Sequence, residues 1–286
     1  MIAMSRRIER PIIILGTPRS GTTFLGEVLS AHPDIAYAIE PSPIWRRGNE
    51  STSDMLRPEH ARQEVIAGIH QRFARLVSTQ GKSRLLEKTP QNCLRLPFVN
   101  EVFPDAIYIH ILRDPIDSIL SIRKMWQKNT HGFKGVRFSQ RLKEMSMAQI
   151  PRYGVQFVRR SIGAATAKQM VMWGPLLPGL KDMVRELDIL EVACIQWRMC
   201  IERVLVDSKT ILSGRYREYQ LSDLNLDKMN EILNFCNVSD DGSVINKFNE
   251  LYCAKYIQRH SSEISEHERA LIMKWIAPTI QWLERR

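Results

Sequence analysis

The sequence predicts an α/β fold organised around a buried β-sheet. Short apolar runs bounded by turn residues, which are typical of strands covered on both faces, occur at residues 12–15, 35–39 and 106–112. Apolar residues at helical spacing follow the first and the third run. Because the first run is entirely apolar and rich in β-branched residues, we expect parallel strand pairing. No linker or internal repeat divides the chain, so we expect one domain over residues 1–286.

The chain carries a formal net charge of +10, which suits a nucleic acid, an anionic membrane or a polyanionic small ligand. Consecutive lysines and arginines occur only as pairs, and the aromatic-glycine motif of an RNA-binding sheet is absent. The dispersed charge therefore favours a site for a highly charged small anion, with no nucleic-acid partner.

The five cysteines are odd in number and show no C-x-x-C spacing. They predict reduced, mostly buried thiols, and neither a zinc site nor a disulfide framework. The polar start of the chain lacks the apolar segment of a secretory signal, and no apolar run approaches membrane-spanning length. We therefore expect a soluble, cytoplasmic protein with no membrane partner, and its oligomeric state is open.

A glycine-containing loop follows the first predicted strand. Gly16, Pro18 and Gly21 require a tight turn, and helical spacing begins after Gly21. Loop amides and the first N–H groups of a helix have no backbone partner, and the helix dipole favours an anion there. The stretch therefore predicts a phosphate-binding site.

The spacing of Gly16 and Gly21 nearly matches the nucleoside-triphosphate loop G-x-x-x-x-G-K-[ST]. Thr22 stands where that loop has its lysine. Since the lysine contacts the β- and γ-phosphates, its absence disfavours triphosphate chemistry. Arg19 supplies the cation of this loop instead. The candidate ligand-binding residues of the loop are Arg19, Ser20, Gly21, Thr22 and Thr23.

Residues 17–23, Thr-Pro-Arg-Ser-Gly-Thr-Thr, resemble the loop of sulfotransferases that holds the 5′-phosphosulfate of 3′-phosphoadenosine 5′-phosphosulfate (PAPS). The motif pattern is most similar to that of tyrosylprotein-type and bacterial sulfotransferases. The resemblance implies a P-loop-like central parallel sheet with helices on both faces and a helical segment on the acceptor side. It also implies that ligands bind at the carboxyl ends of the strands.

Glu40 follows the second predicted strand and precedes Pro41. From the residues alone, a solvated or ion-paired carboxylate is as compatible with this position as a functional one. The sulfotransferase resemblance implies that Glu40 is the general base, because the acceptor O–H must lose its proton as it attacks sulfur.

A second block covers residues 85–92, in which Glu87 and Lys88 follow two leucines and precede Pro90. A lysine at a strand end is most often solvated. The resemblance implies instead that Lys88 contacts the transferring group and stabilises the bridging oxygen as the sulfuryl group leaves. The expected catalytic residues are therefore Glu40, Lys88 and Arg19.

Arg113 and Ser121 belong to a third block, in which a predicted strand leads through Pro115 into a helix. They match the pair with which sulfotransferases hold the 3′-phosphate of PAPS, through a guanidinium fork and a hydroxyl. ATP has no 3′-phosphate, so this pair disfavours an ATP enzyme. We interpret His110, inside the strand, as a core histidine with a local partner.

Two further stretches are interpreted as walls of the acceptor site. Trp45 and the polar residues up to position 54 predict a loop that forms part of a substrate wall. Residues 125–185 predict a helical insert or lid that covers the acceptor side of the cleft.

Apolar spacing predicts helices over residues 59–77, 188–208, 225–235, 244–258 and 266–283, and a last strand over 210–220. The resemblance, which is loose here, implies that Tyr216 in this strand lies near the nucleotide. Lys255 and Arg259 correspond to C-terminal phosphate contacts of sulfotransferases, although the Arg-Lys-Gly form of that motif is absent.

The three blocks predict an enzyme that moves a sulfuryl group from PAPS to a hydroxyl, or with less support to a nitrogen, and releases adenosine 3′,5′-bisphosphate. We expect a small-molecule, natural-product or glycan acceptor and no metal, because fixed cations and amides can neutralise the charge. The tyrosine of a secreted protein is the least expected acceptor. Two alternatives are a magnesium-dependent P-loop kinase and a non-catalytic nucleotide-binding module.

Overall fold

The computed structural model describes residues 7–50, 53–129, 172–252 and 264–285. Within these residues, five parallel strands form one sheet in the order β2-β3-β1-β4-β5. The strands are β1 (Ile12–Leu15), β2 (Ile35–Ile39), β3 (Arg84–Lys88), β4 (Ile107–Leu112) and β5 (Tyr216–Gln220). The predicted α/β class and the parallel pairing are confirmed.

Helices cover both faces of the sheet, because alternate residues of each buried strand point to opposite sides. In β1, Ile12 and Ile14 pack in one apolar cluster and Ile13 and Leu15 in the other. The helices are α1 (Thr22–Leu29), α2 (Ser42–Trp45), α3 (Gln63–Thr79), α4 (Leu96–Val102), α5 (Pro115–Asn129), α6 (Leu180–Glu186), α7 (Ile189–Ile211), α8 (Leu226–Cys236), α9 (Ser243–Leu251) and α10 (Glu266–Glu284). Residues of α1, α8 and α9 share the cluster of Ile12, and residues of α3, α4, α5, α7 and α10 share that of Ile13.

The interpretation of Trp45 as part of a substrate wall is wrong. Trp45 ends the short helix α2 and is fully buried, with its ring packed edge-on against Phe73 and Phe103. Pro43 does not prevent this helix, because it lies in the first turn, where a backbone N–H has no helical partner in any case.

The prediction of a strand over residues 210–220 is wrong for its first half. Helix α7 continues to Ile211, and the buried Leu212 extends its apolar contacts with the core. Gly214, with φ of 71°, then turns the chain, and β5 begins only at Tyr216. Tyr216 therefore lies at the amino end of its strand, whereas Gln220 ends the strand.

Both described ends of the predicted insert are held by one side chain of α7. Residues 125–129 complete α5, in which Trp126 is buried and donates from Nε1 to Oε1 of Gln196 at 2.9 Å. Gln196 Nε2 donates to the carbonyl groups of Trp173 and Pro175 at 2.9 and 3.1 Å. Most of the predicted insert, residues 130–171, lies outside the described residues.

The C-terminal expectations fall partly outside the described residues. The last predicted helix forms as α10, with a capping box between Ser265 and Glu268. Lys255 and Arg259, expected as C-terminal phosphate contacts, lie outside the part of the chain that the structure describes.

Four cysteines are described, all buried and outside any disulfide: Cys93, Cys194, Cys200 and Cys236. In the described ranges, every helix is too short or too polar to cross a membrane.

Candidate active site

The parallel sheet brings the three sequence blocks together at the carboxyl ends of its strands, which form one edge of the sheet perpendicular to the strand direction. Ile14 of β1 and Ile39 of β2 both pair with Lys88 of β3, and Leu15 pairs with His110 of β4. The segments that follow these strands therefore lie side by side, at the edge where α/β folds bind ligands. Glu40, Lys88, the glycine loop and Arg113 occupy successive positions along it.

The glycine loop has no room for larger residues at two positions. A Cβ atom on Gly16 would lie 2.9 Å from the carbonyl oxygen of Ile111. A Cβ atom on Gly21 would lie 2.6 Å from Leu221 Cδ1, and the φ of Gly21 is 96°. Gly21 also precedes α1, whose first N–H groups face out of the helix end without a side-chain cap. The loop is therefore packed against the end of β4 and against Leu221, the residue that follows β5.

Several hydroxyl groups in and beside the loop have unused hydrogen-bonding capacity. The side-chain oxygens of Thr17, Ser20 and Ser118 are buried and have no hydrogen-bond partner among the described residues. Thr22 is also buried, whereas Thr23 is exposed. Because a buried hydroxyl usually has a partner, these groups indicate a place where an anionic ligand supplies acceptors.

Arg19 contacts both Arg113 and Ser121, which lie 94 and 102 residues later in the sequence. Arg19 donates from Nε to Ser121 Oγ at 3.0 Å, and Arg113 donates from Nη1 to the carbonyl oxygen of Arg19 at 3.1 Å. Arg113 also forms an ion pair with the buried Asp117 one helical turn later, at 3.4 Å. Two guanidinium groups and a hydroxyl therefore border one position at the end of β1 and β4.

Two of the predicted site residues have an unusual backbone conformation. Among the described non-glycine residues, only Arg10, Arg19, Glu40 and Asn237 have positive φ. Asn237 terminates α8, where this conformation is common. Arg19 and Glu40, with φ of 72° and 50°, are held in a costly conformation by their surroundings. Such conformations concentrate at functional sites, and here they orient both side chains at the edge of the sheet.

Glu40 and Lys88 form an ion pair at the ends of β2 and β3. Lys88 donates from Nζ to Glu40 Oε1 at 2.8 Å, and Glu40 N donates to the carbonyl oxygen of Lys88, also at 2.8 Å. The side chain of Lys88 is only 2% exposed, whereas that of Glu40 is 24% exposed. The carboxylate is therefore the member of this pair that a substrate from solvent can reach.

Glu87 is a candidate functional residue for which sequence reasoning proposed no role. Its carboxylate is fully buried and accepts hydrogen bonds from Trp45 Nε1 at 2.8 Å, from Asn92 Nδ2 at 2.7 Å and from Thr89 Oγ1. Burial raises the pKa of Glu87 to about 7, although the donors from Thr89 and Trp45 limit the rise. A carboxylate directly after two leucines in a short strand was the sequence signal that could have identified it.

Tyr216 is bonded within the sheet rather than placed at its ligand-binding edge. Its hydroxyl lies 2.7 Å from His110 Nδ1 and donates to Glu218. His110 is fully buried, so its interpretation as a core histidine with a local partner is confirmed. At the ligand-binding edge, β5 contributes Gln220 instead. A cavity of about 330 Å³ there is lined by Leu112, Arg113, Asp114, Pro115, Trp197, Gln220, Ser222 and Leu283.

The fold and the site together define a P-loop-like α/β protein with cationic side chains at the carboxyl ends of its strands. The family model described as "Sulfotransferase family" matches residues 11–160, which is more than half of the 286 residues. The chain belongs to the sulfotransferase family.

Individual relatives are similar over only part of their length. The nodulation protein NoeE of Sinorhizobium fredii is 28% identical over a segment that covers 43% of this chain and 34% of NoeE. A putative protein-tyrosine sulfotransferase of Caenorhabditis briggsae is 31% identical over 39% of this chain and 42% of that protein. The matched segments therefore span less than half the length of these two relatives.

Solved structures of low sequence identity share the fold over nearly the whole chain. A sulfotransferase from Alicyclobacillus acidocaldarius has a TM-score of 0.55 at 15% identity and covers 97% of this chain and 96% of its own. The sulfotransferase domain from the curacin biosynthetic pathway has a TM-score of 0.52 at 15% identity, over 95% of this chain and 98% of its own. The predicted P-loop-like sheet is thus confirmed at the level of the fold.

Proposed function

We propose that this chain is a PAPS-dependent sulfotransferase that transfers a sulfuryl group to a hydroxyl group of a small-molecule, natural-product or glycan acceptor. Transfer of the sulfuryl group to a nitrogen atom is the less favoured alternative. The observation that carries the proposal is the direct contact of Arg19 with Ser121 and Arg113, at the same edge as the Glu40–Lys88 ion pair. A doubly phosphorylated donor needs cations for both of its ends beside a proton acceptor.

The residues at the edge fit the anionic groups of PAPS. The amides that follow Gly21, together with the unpartnered hydroxyls of Thr17 and Ser20, suit the oxygens of a 5′-phosphosulfate. Arg113 and Ser121 suit a 3′-phosphate, with Arg19 between the two ends. When bound, PAPS supplies an activated sulfuryl group.

We assign the remaining donor contacts to Thr22 and Thr23, at the start of α1. The hydroxyl of Tyr216 is bonded to His110 and Glu218, so we assign it an indirect contribution through β4.

Glu40 and Lys88 supply the groups that a sulfuryl transfer needs at the acceptor side. Glu40, the more exposed member of the pair, takes the proton of the acceptor hydroxyl as that oxygen attacks. The buried ammonium of Lys88 neutralises negative charge that develops on the bridging oxygen.

We further propose one cytoplasmic domain over residues 1–286, in which residues 125–185 cover the acceptor side. Several relatives are named protein-tyrosine sulfotransferases, so peptide tyrosine is included among the acceptors to be tested. No nucleic-acid or membrane partner forms part of the proposal, and it requires no metal.

The test combines donor binding with product detection. Calorimetry should show tighter binding of adenosine 3′,5′-bisphosphate than of ATP with or without Mg²⁺, because only the former has a 3′-phosphate for Arg113. Incubation with PAPS and a panel of phenols, sugars and tyrosine peptides should yield an acceptor with the added mass of a sulfuryl group. Stronger ATP binding together with Mg²⁺-dependent turnover would instead support a kinase. Donor binding without turnover on any acceptor would support a binding module.

A further inference from the structure

We propose that Glu87 is a positioning residue that holds Glu40 and Lys88 at their contact distance. The inference rests on the proposed function for its kinetic test, but the contacts that carry it belong to the structure alone. Glu87 touches neither partner of the ion pair through its carboxylate. Instead, it binds the segment that follows each of them.

The first segment begins at Glu40. The chain continues from Glu40 through Pro41 directly into α2, and Trp45 is the last residue of that helix. Trp45 Nε1 donates to Glu87 Oε1 at 2.8 Å, across a large sequence separation. The indole is fully buried and packs on three phenylalanine rings, so it cannot turn to another acceptor without disturbing the core.

The second segment begins at Lys88. Thr89 and the 3₁₀ turn Pro90–Leu94 follow it, and Glu87 accepts hydrogen bonds from Thr89 Oγ1 and Asn92 Nδ2. Cys93 of the same turn lies against the glycine loop, because the N–H of Gly16 donates to its Sγ at 3.3 Å. The carboxylate therefore fixes a turn that touches the catalytic lysine at one end and the phosphate loop at the other.

The donor set of Glu87 suits a carboxyl group better than the amide of a glutamine. A glutamine would still accept from Trp45 and Thr89 through Oε1, but its amide hydrogens would face the amide hydrogens of Asn92. One buried donor would then be unsatisfied. The turn after Lys88 has to move to relieve this conflict, which changes the distance between Lys88 and Glu40.

Arg95 adds a second reason why the turn is rigid. Its Nε donates to Asn92 Oδ1 at 2.9 Å, and its guanidinium lies over the ring of Trp45. Arg95 also lies 3.9 Å from Asp54, whose carboxylate accepts from Leu176 N at 2.8 Å. The amide of Asn92 is therefore held from both sides and cannot flip to present its oxygen to a glutamine at position 87.

The central experiment compares Glu87→Gln with wild type at about pH 8, above the usual range of carboxyl pKa values. We expect kcat to fall about 100-fold, as for a catalytic group displaced by roughly 1 Å. Binding of adenosine 3′,5′-bisphosphate and the KM for PAPS should change by less than about threefold, which is under 1 kcal/mol. Parallel loss of donor binding and turnover would overturn the proposal, since it would indicate general disruption. Unchanged kcat would also overturn it.

The reciprocal double variant Glu87→Gln/Asn92→Asp tests whether kcat can be restored. In it, the introduced glutamine accepts from Trp45 and Thr89 and donates to the introduced aspartate, which still accepts from Arg95, so each hydrogen bond has a donor and an acceptor. We expect kcat to recover to within about fivefold of wild type if the bonds, rather than the residue at position 87, position the pair. No recovery in a folded double variant would overturn the proposal.

His70→Gln is the matched control for loss of stability. His70 is buried in the same apolar cluster, packs edge-on against Phe103 beside Trp45 and lies 2.8 Å from the carbonyl oxygen of Val102, but it has no hydrogen bond to Glu87. We expect it to lower the unfolding temperature without a change in kcat. An equal fall of kcat in His70→Gln would overturn the special role of Glu87.

A structural readout separates this inference from the proposed function. In a crystal structure of Glu87→Gln, Lys88 Nζ should lie more than 4 Å from Glu40 Oε1, or one of the two side chains should be disordered, compared with 2.8 Å here. This expectation holds even if wild type shows no turnover with PAPS. An unchanged ion pair would overturn the positioning role whatever the reaction of the protein is.

Discussion

The two halves of the candidate site are built in different ways. On the proposed donor side, at β1 and β4, the candidate ligand-binding groups are backbone amides, loop hydroxyls and two arginines, one of which donates to the backbone carbonyl of the other. On the acceptor side, at β2 and β3, a single ion pair is supported by the buried carboxylate of Glu87, which binds the segments that follow Glu40 and Lys88. The donor side thus joins two local motifs, the glycine loop and the start of α5, through the contacts of Arg19 with Arg113 and Ser121. On the acceptor side, the ion pair itself and its support from Trp45 both connect segments that are distant in the sequence.

This difference indicates how each half tolerates change. An anion-binding loop depends on glycine positions and on a helix end, which neighbouring residues specify. A proton-transfer pair depends on a distance between two strands, which the core behind it sets. We therefore expect changes near β1 and β4 to alter donor affinity, and changes near β2 and β3 to alter turnover.

The largest expected effect is on the acceptor side. Glu40→Gln should lower kcat about 10²- to 10⁴-fold, because it removes the proton acceptor, while the affinity for adenosine 3′,5′-bisphosphate stays within about threefold of wild type. Steady-state kinetics and calorimetry measure the two quantities. Glu27→Gln, on the exposed face of α1, is the control. Weaker donor binding with normal kcat would contradict the expectation that changes near β2 and β3 alter turnover rather than donor affinity.

The next effect concerns the pH dependence of stability. Burial raises the pKa of Glu87 from 4.5 to about 7 in the folded protein. The folded state therefore holds the carboxyl proton of Glu87 more tightly than the unfolded state does. The resulting contribution to the free energy of unfolding is fully present below about pH 4.5 and is lost as the pH rises through 7. Relative to Glu87→Gln, wild type should lose up to about 3 kcal/mol of unfolding free energy over this range. Urea unfolding at several pH values measures the difference.

In that comparison, His70 is a second group whose burial lowers its pKa. His70 titrates in both proteins, so its contribution to the pH dependence of the unfolding free energy cancels when the two proteins are compared. A difference that does not vary between pH 4.5 and 7 would show that Glu87 keeps its charge throughout and that its three donors outweigh its burial.

A smaller effect is expected on the donor side. Arg113→Ala should weaken binding of adenosine 3′,5′-bisphosphate by about 2 kcal/mol, or roughly 30-fold, because a charged hydrogen-bond donor is lost. Arg217→Ala, which removes an exposed ion pair between β5 of the same sheet and Glu231 of α8, should leave the affinity unchanged. Calorimetry on both variants is the measurement, and equal losses in the two would contradict a specific 3′-phosphate contact.

The smallest expected effect tests the packing of the loop itself. Gly21→Ala and Gly214→Ala both place a side chain at positive φ, but only the new Cβ at position 21 meets another residue, Leu221. We therefore expect Gly21→Ala to destabilise the protein by about 1 kcal/mol more than Gly214→Ala. Denaturant midpoints measure this difference. Equal destabilisation would mean that the end of β5 does not support the loop.

Several parts of the site were predictable because they rest on local chemistry. Gly16 and Gly21 indicated the loop, and Arg113 with Ser121 indicated a strand end and the helix after it. The structure places these residues at one edge, although their assignment to PAPS is still a proposal. Trp45 was misassigned to the surface, because its burial depends on packing with Phe73 and Phe103. Tyr216 was assigned to the site from a loose motif, without knowledge of where β5 begins.

By itself, the sequence determined the α/β class, the parallel sheet and the position of the glycine loop, because glycine positions and apolar periodicity act over a few residues. Only the tertiary structure decided that Arg19 contacts Ser121, that Lys88 lies against Glu40, and that a buried carboxylate supports this pair. The physical reason is that these contacts join strands distant in the sequence but adjacent in the sheet. Strand order, register and core packing set such distances.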